Sequence, residues 1–162
     1  MNNYIKTVNK DIIHKMYLYD NFYEDNDRIV TLFKNNGDNC KNLIINDAKH
    51  IFEHKLGTKI QTIQSNIITL TNDYIVQSVE HEWVAVVFLN SNIPVDNGLA
   101  FMQENVNSNN KIQSSCFAVS PPLIVEDFFY GKPNRIIIFN NIFYHKLIVK
   151  KPMLVEIICI KL

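Results

Sequence analysis

The chain has 162 residues, 47% of them apolar, and its 16 basic residues balance its 16 acidic ones. A chain of this length buries about two-thirds of the surface that it exposes when unfolded, so we expect a single domain over residues 1–162. The zero net charge excludes long-range electrostatic attraction to nucleic acid or to an anionic membrane, and no apolar run approaches the roughly 20 residues of a membrane-spanning helix.

The first part of the chain, up to about residue 57, shows a strand followed by helical patterns. Aromatic and apolar residues at 16–19 predict a short strand. The acidic stretch at 24–27 supplies a cap and N-terminal acids for a first helix, and the sequence Asn-Asn-Gly at 35–37 ends it. Apolar residues between these limits give that helix a face to pack on a sheet.

A second helix is predicted over residues 47–56. Asn46 is expected to cap its beginning, and Gly57 lies just past its end. Its apolar face consists of Ala48, Ile51, Phe52 and Leu56. His50 and His54 are four residues apart, a spacing that can hold one metal, but they lie on the opposite face. We interpret them as polar residues that meet water.

Residues 58–162 form the predicted β core. They contain nine runs of β-branched and aromatic residues separated by turn-forming residues, which is the pattern of a sandwich or barrel. The runs are 67–70, 73–79, 83–89, 98–102, 115–119, 123–129, 135–139, 142–149 and 153–160. The polar stretch 104–111 is predicted to be a mobile loop. We therefore predict an α+β, mainly β fold, a jelly roll with about two N-terminal helices packed on its sheet.

His145 is the strongest candidate functional residue because it interrupts an otherwise apolar strand run, IFYHKL at 142–147. On residue type alone, a histidine in such a run is a buried core residue more often than a ligand. His81 lies in a charged triplet between two strand runs and is interpreted as part of a hairpin turn or strand end. His14 precedes the first predicted strand and has no partner nearby in the sequence.

The segments around His145 resemble those of the iron- and 2-oxoglutarate-dependent oxygenases of the prolyl-hydroxylase-like kind. In that family, a strand similar to NRIIIFNN at 134–141 turns into the strand that bears the distal iron ligand. Upstream, WVAVVFLNSNIP at 83–94 and GLAF at 98–101 are similar to a core strand and the segment after it. YDNFYEDNDR at 19–28 is similar to the opening of a small branch of the family. The resemblance covers most of the chain and implies a double-stranded β-helix.

The resemblance also implies where a metal would bind. Such enzymes hold Fe(II) with two histidines and one carboxylate and leave three positions for 2-oxoglutarate and oxygen. His145 matches the distal histidine, whereas the other two ligand positions fall on Gln77 and Val79, which share one face of a strand. A neutral amide coordinates weakly and an isopropyl group has no donor atom. We therefore expect a degenerate site without a cofactor. His81, or a carboxylate such as Asp73, would be the substitute ligand if the site is rescued.

Lys150 and Lys151 lie where the family fixes the distal carboxylate of 2-oxoglutarate with an arginine or lysine. A lysine can serve there, although it lacks the bidentate fork of an arginine. The competing interpretation is a solvated lysine pair ahead of a buried strand.

Three functions are compatible with these patterns. The leading hypothesis is a degenerate oxygenase-like domain that acts as a binding or structural module without turnover, through a protein partner or self-association. The alternative is an active Fe(II)- and 2-oxoglutarate-dependent hydroxylase with a rearranged metal site. The second alternative is an unrelated β-sandwich structural protein of viral type, since frequent asparagine and isoleucine with four glycines indicate an AT-rich genome. Three widely spaced cysteines and an N-terminus without a secretion-signal pattern predict a cytoplasmic location.

Overall fold

The computed structural model of the chain describes residues 2–7, 13–57, 59–75, 82–104, 123–140 and 144–161. Two strands come first, β1 (Asn2–Thr7) and β2 (Ile13–Tyr19). Helices α1 (Asn26–Asn36) and α2 (Lys41–Leu56) follow, joined by a short 3-10 turn (Gly37–Cys40). The remaining strands are β3 (Thr62–Leu70), β4 (Trp83–Phe88), β5 (Gly98–Glu104), β6 (Leu123–Tyr130), β7 (Arg135–Asn140), β8 (Tyr144–Ile148) and β9 (Met153–Lys161). The predicted mainly β architecture with two helices is confirmed.

Helix α1 begins and ends where the sequence predicted. The Asp25 side chain accepts a hydrogen bond from the Arg28 backbone N–H at 2.9 Å, which satisfies one of the free N–H groups of the first turn. At the other end, Gly37 has a φ of 52°, and its N–H donates to the Phe33 carbonyl.

Helix α2 is longer than predicted. The prediction that Asn46 caps a helix over 47–56 is wrong, because the helix begins at Lys41, directly after the 3-10 turn. The buried residues spaced four apart are Cys40, Ile44, Ala48 and Phe52. This apolar face packs against the sheet along its whole length, and tertiary packing therefore carries the helix through the polar Asn46.

The C-terminal end of α2 is as predicted. Gly57 adopts a left-handed conformation with a φ of 66°, and its N–H donates to the Glu53 carbonyl at 3.0 Å. Neither helix in the described part of the chain combines the length and the apolar character needed to cross a bilayer.

The strands form two antiparallel sheets. The larger sheet has the order β1-β2-β7-β4-β9-β3, and the smaller sheet has the order β6-β5-β8. From β4 onward the chain passes back and forth between them. Strands β4, β7 and β9 lie in the larger sheet, whereas β5, β6 and β8 lie in the smaller one.

Several predicted segments fall partly or wholly outside the described residues. Of the run at 73–79, Tyr74 makes a single antiparallel bridge to Leu147 of β8, and residues 76–79 are not described. The run at 115–119 is also not described. Glu104, the first residue of the predicted loop 104–111, ends β5, and the rest of that loop lies outside the described residues.

The central strands β4 and β7 of the larger sheet are buried on both faces, which explains why they are continuous apolar runs. One face meets the smaller sheet in what we call the inter-sheet core, and the other meets the helices in the helix-side core. The inter-sheet core includes Val84, Val86, Phe88, Leu99, Phe101, Ile137, Phe139 and Leu147. The helix-side core includes Ile44, Ala48, Phe52, Ala85, Val87, Ile136, Ile138 and Ile158. The predicted packing of the helices on the sheet is thereby confirmed.

Candidate functional site

Strand β8 directs His145 into the inter-sheet core. Side chains alternate along a strand, so His145 shares the buried face with Leu147, whereas Lys146 projects the other way. The imidazole is 4% exposed and lies edge-on to the Phe139 ring, with 4.5 Å between ring centroids. Phe101, which faces His145 across the β5–β8 pair, contacts Phe139 with ring centroids 5.1 Å apart. Among the described residues, the Phe139 ring is therefore in direct contact with this histidine, and Phe101 is its neighbour on the adjacent strand.

A row of three residues crosses the smaller sheet at the level of His145. The strand register pairs Asp127 of β6 with Phe101, and Phe101 with His145. Paired residues project to the same face of a sheet, so Asp127 shares the inward face with His145 and Phe101 stands between them. Because neighbouring strands lie about 4.8 Å apart, roughly 10 Å separates the Cα atoms of Asp127 and His145.

The other expected ligand positions are Gln77 and Val79, and both lie outside the described residues, as does His81. Among the residues that the structure describes, no three His, Cys, Asp or Glu side chains are grouped to hold a metal ion. The described part of the chain therefore does not by itself provide an Fe(II) site. The assignment of the two ligand positions to Gln77 and Val79 stays a prediction.

Asp73, a carboxylate considered as a substitute ligand, is engaged elsewhere. Its Oδ2 lies 2.8 Å from Lys146 Nζ, and its Oδ1 accepts a hydrogen bond from the Val149 N–H at 2.8 Å. The hydrogen bond from Lys146, followed by that from the Val149 N–H, lowers the pKa of the Asp73 carboxyl. The structure thus brings Asp73 to Lys146 and not to His145.

Lys150 and Lys151 form the turn between β8 and β9, and both side chains are exposed. The buried Asn97 holds this turn through its backbone. The Asn97 Oδ1 accepts from the N–H groups of Lys150 at 2.8 Å and Lys151 at 3.2 Å, and its Nδ2 donates to the Lys151 carbonyl at 2.8 Å. About five residues of extended chain, roughly 16 Å, separate Lys150 from His145. A role for these lysines in binding a carboxylate stays a prediction.

Helix α2 exposes His50 and His54, in agreement with their interpretation as polar residues that meet water. The neighbouring Asp47 lies 3.7 Å from the Arg28 guanidinium of α1. A cleft of about 460 Å³ lies between the two helices, and its lining includes Arg28, Asp47 and His50. The His14 side chain is outside the described part of the chain.

Sequence patterns did not single out Glu156, which is fully buried in β9 on the helix side of the larger sheet. Two hydroxyl groups donate to its carboxyl group, Tyr23 Oη to Oε2 at 2.6 Å and Ser65 Oγ to Oε1 at 2.5 Å. Burial raises the pKa of Glu156 to about 7, although both hydrogen bonds act to lower it. Burial, and then the nearby Glu156, also raise the pKa of the Tyr23 phenol. The sequence signal that could have identified Glu156 is its position as a charged residue inside the apolar run at 153–160.

Two solved bacterial structures are similar to this chain. An oxidoreductase of the 2OG-Fe(II) oxygenase family from Burkholderia pseudomallei has 14% sequence identity and a TM-score of 0.45, over 94% of this chain and 69% of that chain. A prolyl-4-hydroxylase from Pseudomonas putida has 9% identity and a TM-score of 0.43, over 97% of this chain and 77% of that chain. A scan against protein-family models and a comparison with curated proteins find no match. The two similarities concern the arrangement of the backbone alone.

Proposed function

We propose that this domain is a double-stranded β-helix of the iron- and 2-oxoglutarate-dependent oxygenase kind, and that it acts as a binding or structural module without turnover. The observation that carries this proposal is the environment of His145. Its imidazole is packed edge-on against Phe139 in the inter-sheet core, with Phe101 beside it. A catalytic Fe(II) site needs open coordination positions around the metal, and the Phe139 ring lies directly against this imidazole.

The strand order supports the fold part of the proposal. From β4 to β9 the chain crosses four times between two facing antiparallel sheets, with β5 and β6 paired in the smaller one, as the turns of a double-stranded β-helix do. The bridge from Tyr74 to Leu147 adds a fourth element beside β8, at the point where the chain enters the segment that contains Gln77 and Val79.

An active hydroxylase with a rearranged metal site is the second candidate, and the position of Asp127 favours it. Asp127 supplies a carboxylate on the same face and in the same row as His145. With roughly 10 Å between their Cα atoms, both side chains reach a shared ion only if Phe101 moves out of the row between them. His81 would be the third ligand, with Fe(II) and 2-oxoglutarate as the cofactors.

Calorimetric titration of the metal-free protein with Mn(II), with and without 2-oxoglutarate, tests the two candidates. We expect no saturable binding by the unmodified chain. The double variant Gln77→His/Val79→Asp should gain a site, because the new histidine and carboxylate complete a set of two histidines and one carboxylate with His145. His145→Phe in the double-variant background is the matched control and should abolish that site.

Two results would overturn parts of this proposal. Saturable Mn(II) binding by the unmodified chain that is lost in His145→Phe would establish the rearranged metal site, and Asp127→Asn would then report whether Asp127 is a ligand. A correctly folded double variant without any gain in affinity would show that Gln77 and Val79 do not occupy the two ligand positions.

A further inference from the structure

Strand β3 forms one edge of the larger sheet. On one side it pairs with β9 along its whole length, from Thr62 opposite Lys161 to Leu70 opposite Met153, without a shift in register. Among the described residues, no strand pairs with its other side. Backbone N–H and C=O groups along such an edge point outward in a row and are able to pair with a further strand.

This edge differs from the other three sheet edges that the structure describes. Natural proteins protect sheet edges with charged residues, proline, bulges or very short strands. The nine residues of β3, TIQSNIITL, include no charged residue, proline or glycine. By contrast, β1 contains Lys6, β6 contains Asp127 and a register shift against β5, and β8 has five residues that include Lys146. Strand β3 is therefore the edge best suited to pairing with another strand.

Both hydrophobic cores reach this edge and are incompletely covered there. Ile63 packs against the helix-side core and Ile68 against the inter-sheet core, and both side chains are half-buried. Gln64 and Asn66, which lie between them on the strand, are exposed, so solvent reaches the middle of the edge. A strand added beside β3 would cover both isoleucines and take up the outward backbone groups.

A second copy of this chain supplies a strand that matches the edge in length, charge and order. A two-fold axis perpendicular to the sheet places two β3 strands antiparallel, and all nine residues pair when the axis passes beside Asn66. Because β3 carries no charge, no like charges stand opposite each other. In each copy β9 already holds the strand extended, so pairing avoids the ordering cost that an unstructured peptide would incur.

We propose that two copies of this chain pair through β3, antiparallel and centred on Asn66, so that their two six-stranded sheets become continuous. Nine residues give a contact roughly 30 Å long and about 10 Å wide, or roughly 300 Å² per copy, against about 800 Å² per partner in a standard interface. The dimer is therefore weak, with a dissociation constant in the micromolar range or above. It does not involve His145 and does not depend on the function proposed above.

Sedimentation velocity from low-micromolar to near-millimolar protein tests the dimer. We expect a concentration-dependent shift from monomer to dimer in the unmodified chain. Asn66→Lys should raise the dissociation constant by at least about tenfold, because two ammonium groups then face each other across the two-fold axis. Asn66→Thr, an uncharged replacement that favours strands, should dimerise like the unmodified chain. Val125→Lys is the charge-matched control, since Val125 is 57% exposed on the edge strand β6 of the other sheet.

Disulfide cross-linking tests the register. Directly opposed Cα atoms of antiparallel strands are about 4.5–5.5 Å apart, which a disulfide can bridge, so Asn66→Cys should form a covalent dimer on mild oxidation. Thr62→Cys is the matched control, because its two copies would be eight residues, about 27 Å, apart along the strands. The parent chain, oxidised in the same way, gives the baseline for its own three cysteines.

The substituted side chains are exposed, so all variants should keep the circular dichroism spectrum of the parent chain. A chain that stays monomeric at every concentration overturns the proposal. Equal effects of Asn66→Lys and Val125→Lys also overturn it, because the association would then not depend on the edge of β3. Equal cross-linking of Asn66→Cys and Thr62→Cys would overturn the pairing centred on Asn66.

Discussion

His145 and Glu156 lie on consecutive strands but in different cores. His145 lies between the two sheets, where its ring packs against Phe139 and its backbone pairs with that of Phe101. Glu156 lies between the larger sheet and the helices, where Tyr23 and Ser65 donate hydrogen bonds to its carboxyl group. Burying a group that can carry charge is costly unless hydrogen bonds compensate for the lost water. The comparison shows that Glu156 joins the sheet to the segment before α1, whereas His145, also buried, packs against an aromatic ring of the inter-sheet core.

Of the substitutions that test this comparison, removal of the Phe139 ring should have the largest effect on the free energy of unfolding. Phe139→Ala deletes a fully buried ring and should lower the free energy of unfolding by about 3–5 kcal/mol, measured by urea denaturation. It should also open a path to His145 and raise its rate of modification by diethyl pyrocarbonate, followed by peptide mass spectrometry. The exposed His50 and His54 serve as internal standards in every sample.

Phe52→Ala is the matched control for that experiment, since Phe52 is an equally buried ring in the helix-side core. It should cost a similar amount of stability, yet leave His145 protected at urea concentrations where the chain stays folded. If the alanine variant at 139 does not fold, Phe139→Leu, with a cost of about 1 kcal/mol, replaces it. Equal reactivity of His145 in the Phe52 and Phe139 variants would mean that the two cores open together.

The free energy of unfolding should change with pH because the Glu156 carboxyl group titrates at a different pH in the folded and the unfolded chain. Its pKa is raised from 4.5 to about 7 in the folded chain, which therefore keeps a proton that the unfolded chain releases. This contribution is fully present below pH 4.5 and is lost as the pH rises through 7, a decrease on the order of 3 kcal/mol. Urea unfolding midpoints between about pH 5 and pH 8 measure it, and Glu156→Gln should remove the slope.

Asp20 and Ser65 test whether Glu156 is the origin of the change of stability with pH. The Arg135 hydrogen bond, partly opposed by burial, lowers the pKa of Asp20 from 3.8 to about 2. Its contribution is present above pH 3.8 and is lost as the pH falls through 2, so Asp20 does not act in the window of Glu156. Ser65→Ala removes a hydrogen bond that lowers the pKa of Glu156 and should move the window to higher pH. An unchanged slope in Glu156→Gln would assign it to another group.

Local patterns predicted most of the fold, because apolar periodicity and cap residues act within a few positions of the chain. They failed where distant contacts decide. Asn46 has the composition of a cap, but the buried face of α2 overrides it. Glu156 stands out in an apolar run, yet its partners Tyr23 and Ser65 are 133 and 91 residues away, and no local pattern connects them. The position of His145 on a strand could be predicted, but its contact with Phe139 depends on how the two sheets face each other.

Asn97 is a third buried polar residue, and its replacement should have the smallest effect. Asn97→Ala removes three hydrogen bonds to the backbone of Lys150 and Lys151. Each such bond contributes about 1 kcal/mol, and water can replace part of them at this exposed turn, so the expected loss is about 1–2 kcal/mol in urea unfolding. Asn92→Ala, at an exposed asparagine, should stay within about 0.5 kcal/mol of the parent chain. Equal values for the two variants would mean that the turn keeps its shape without Asn97. A larger loss of stability in Asn97→Ala than in Asn92→Ala would show that Asn97, like Glu156, is a buried polar group whose hydrogen bonds to distant residues stabilise the fold.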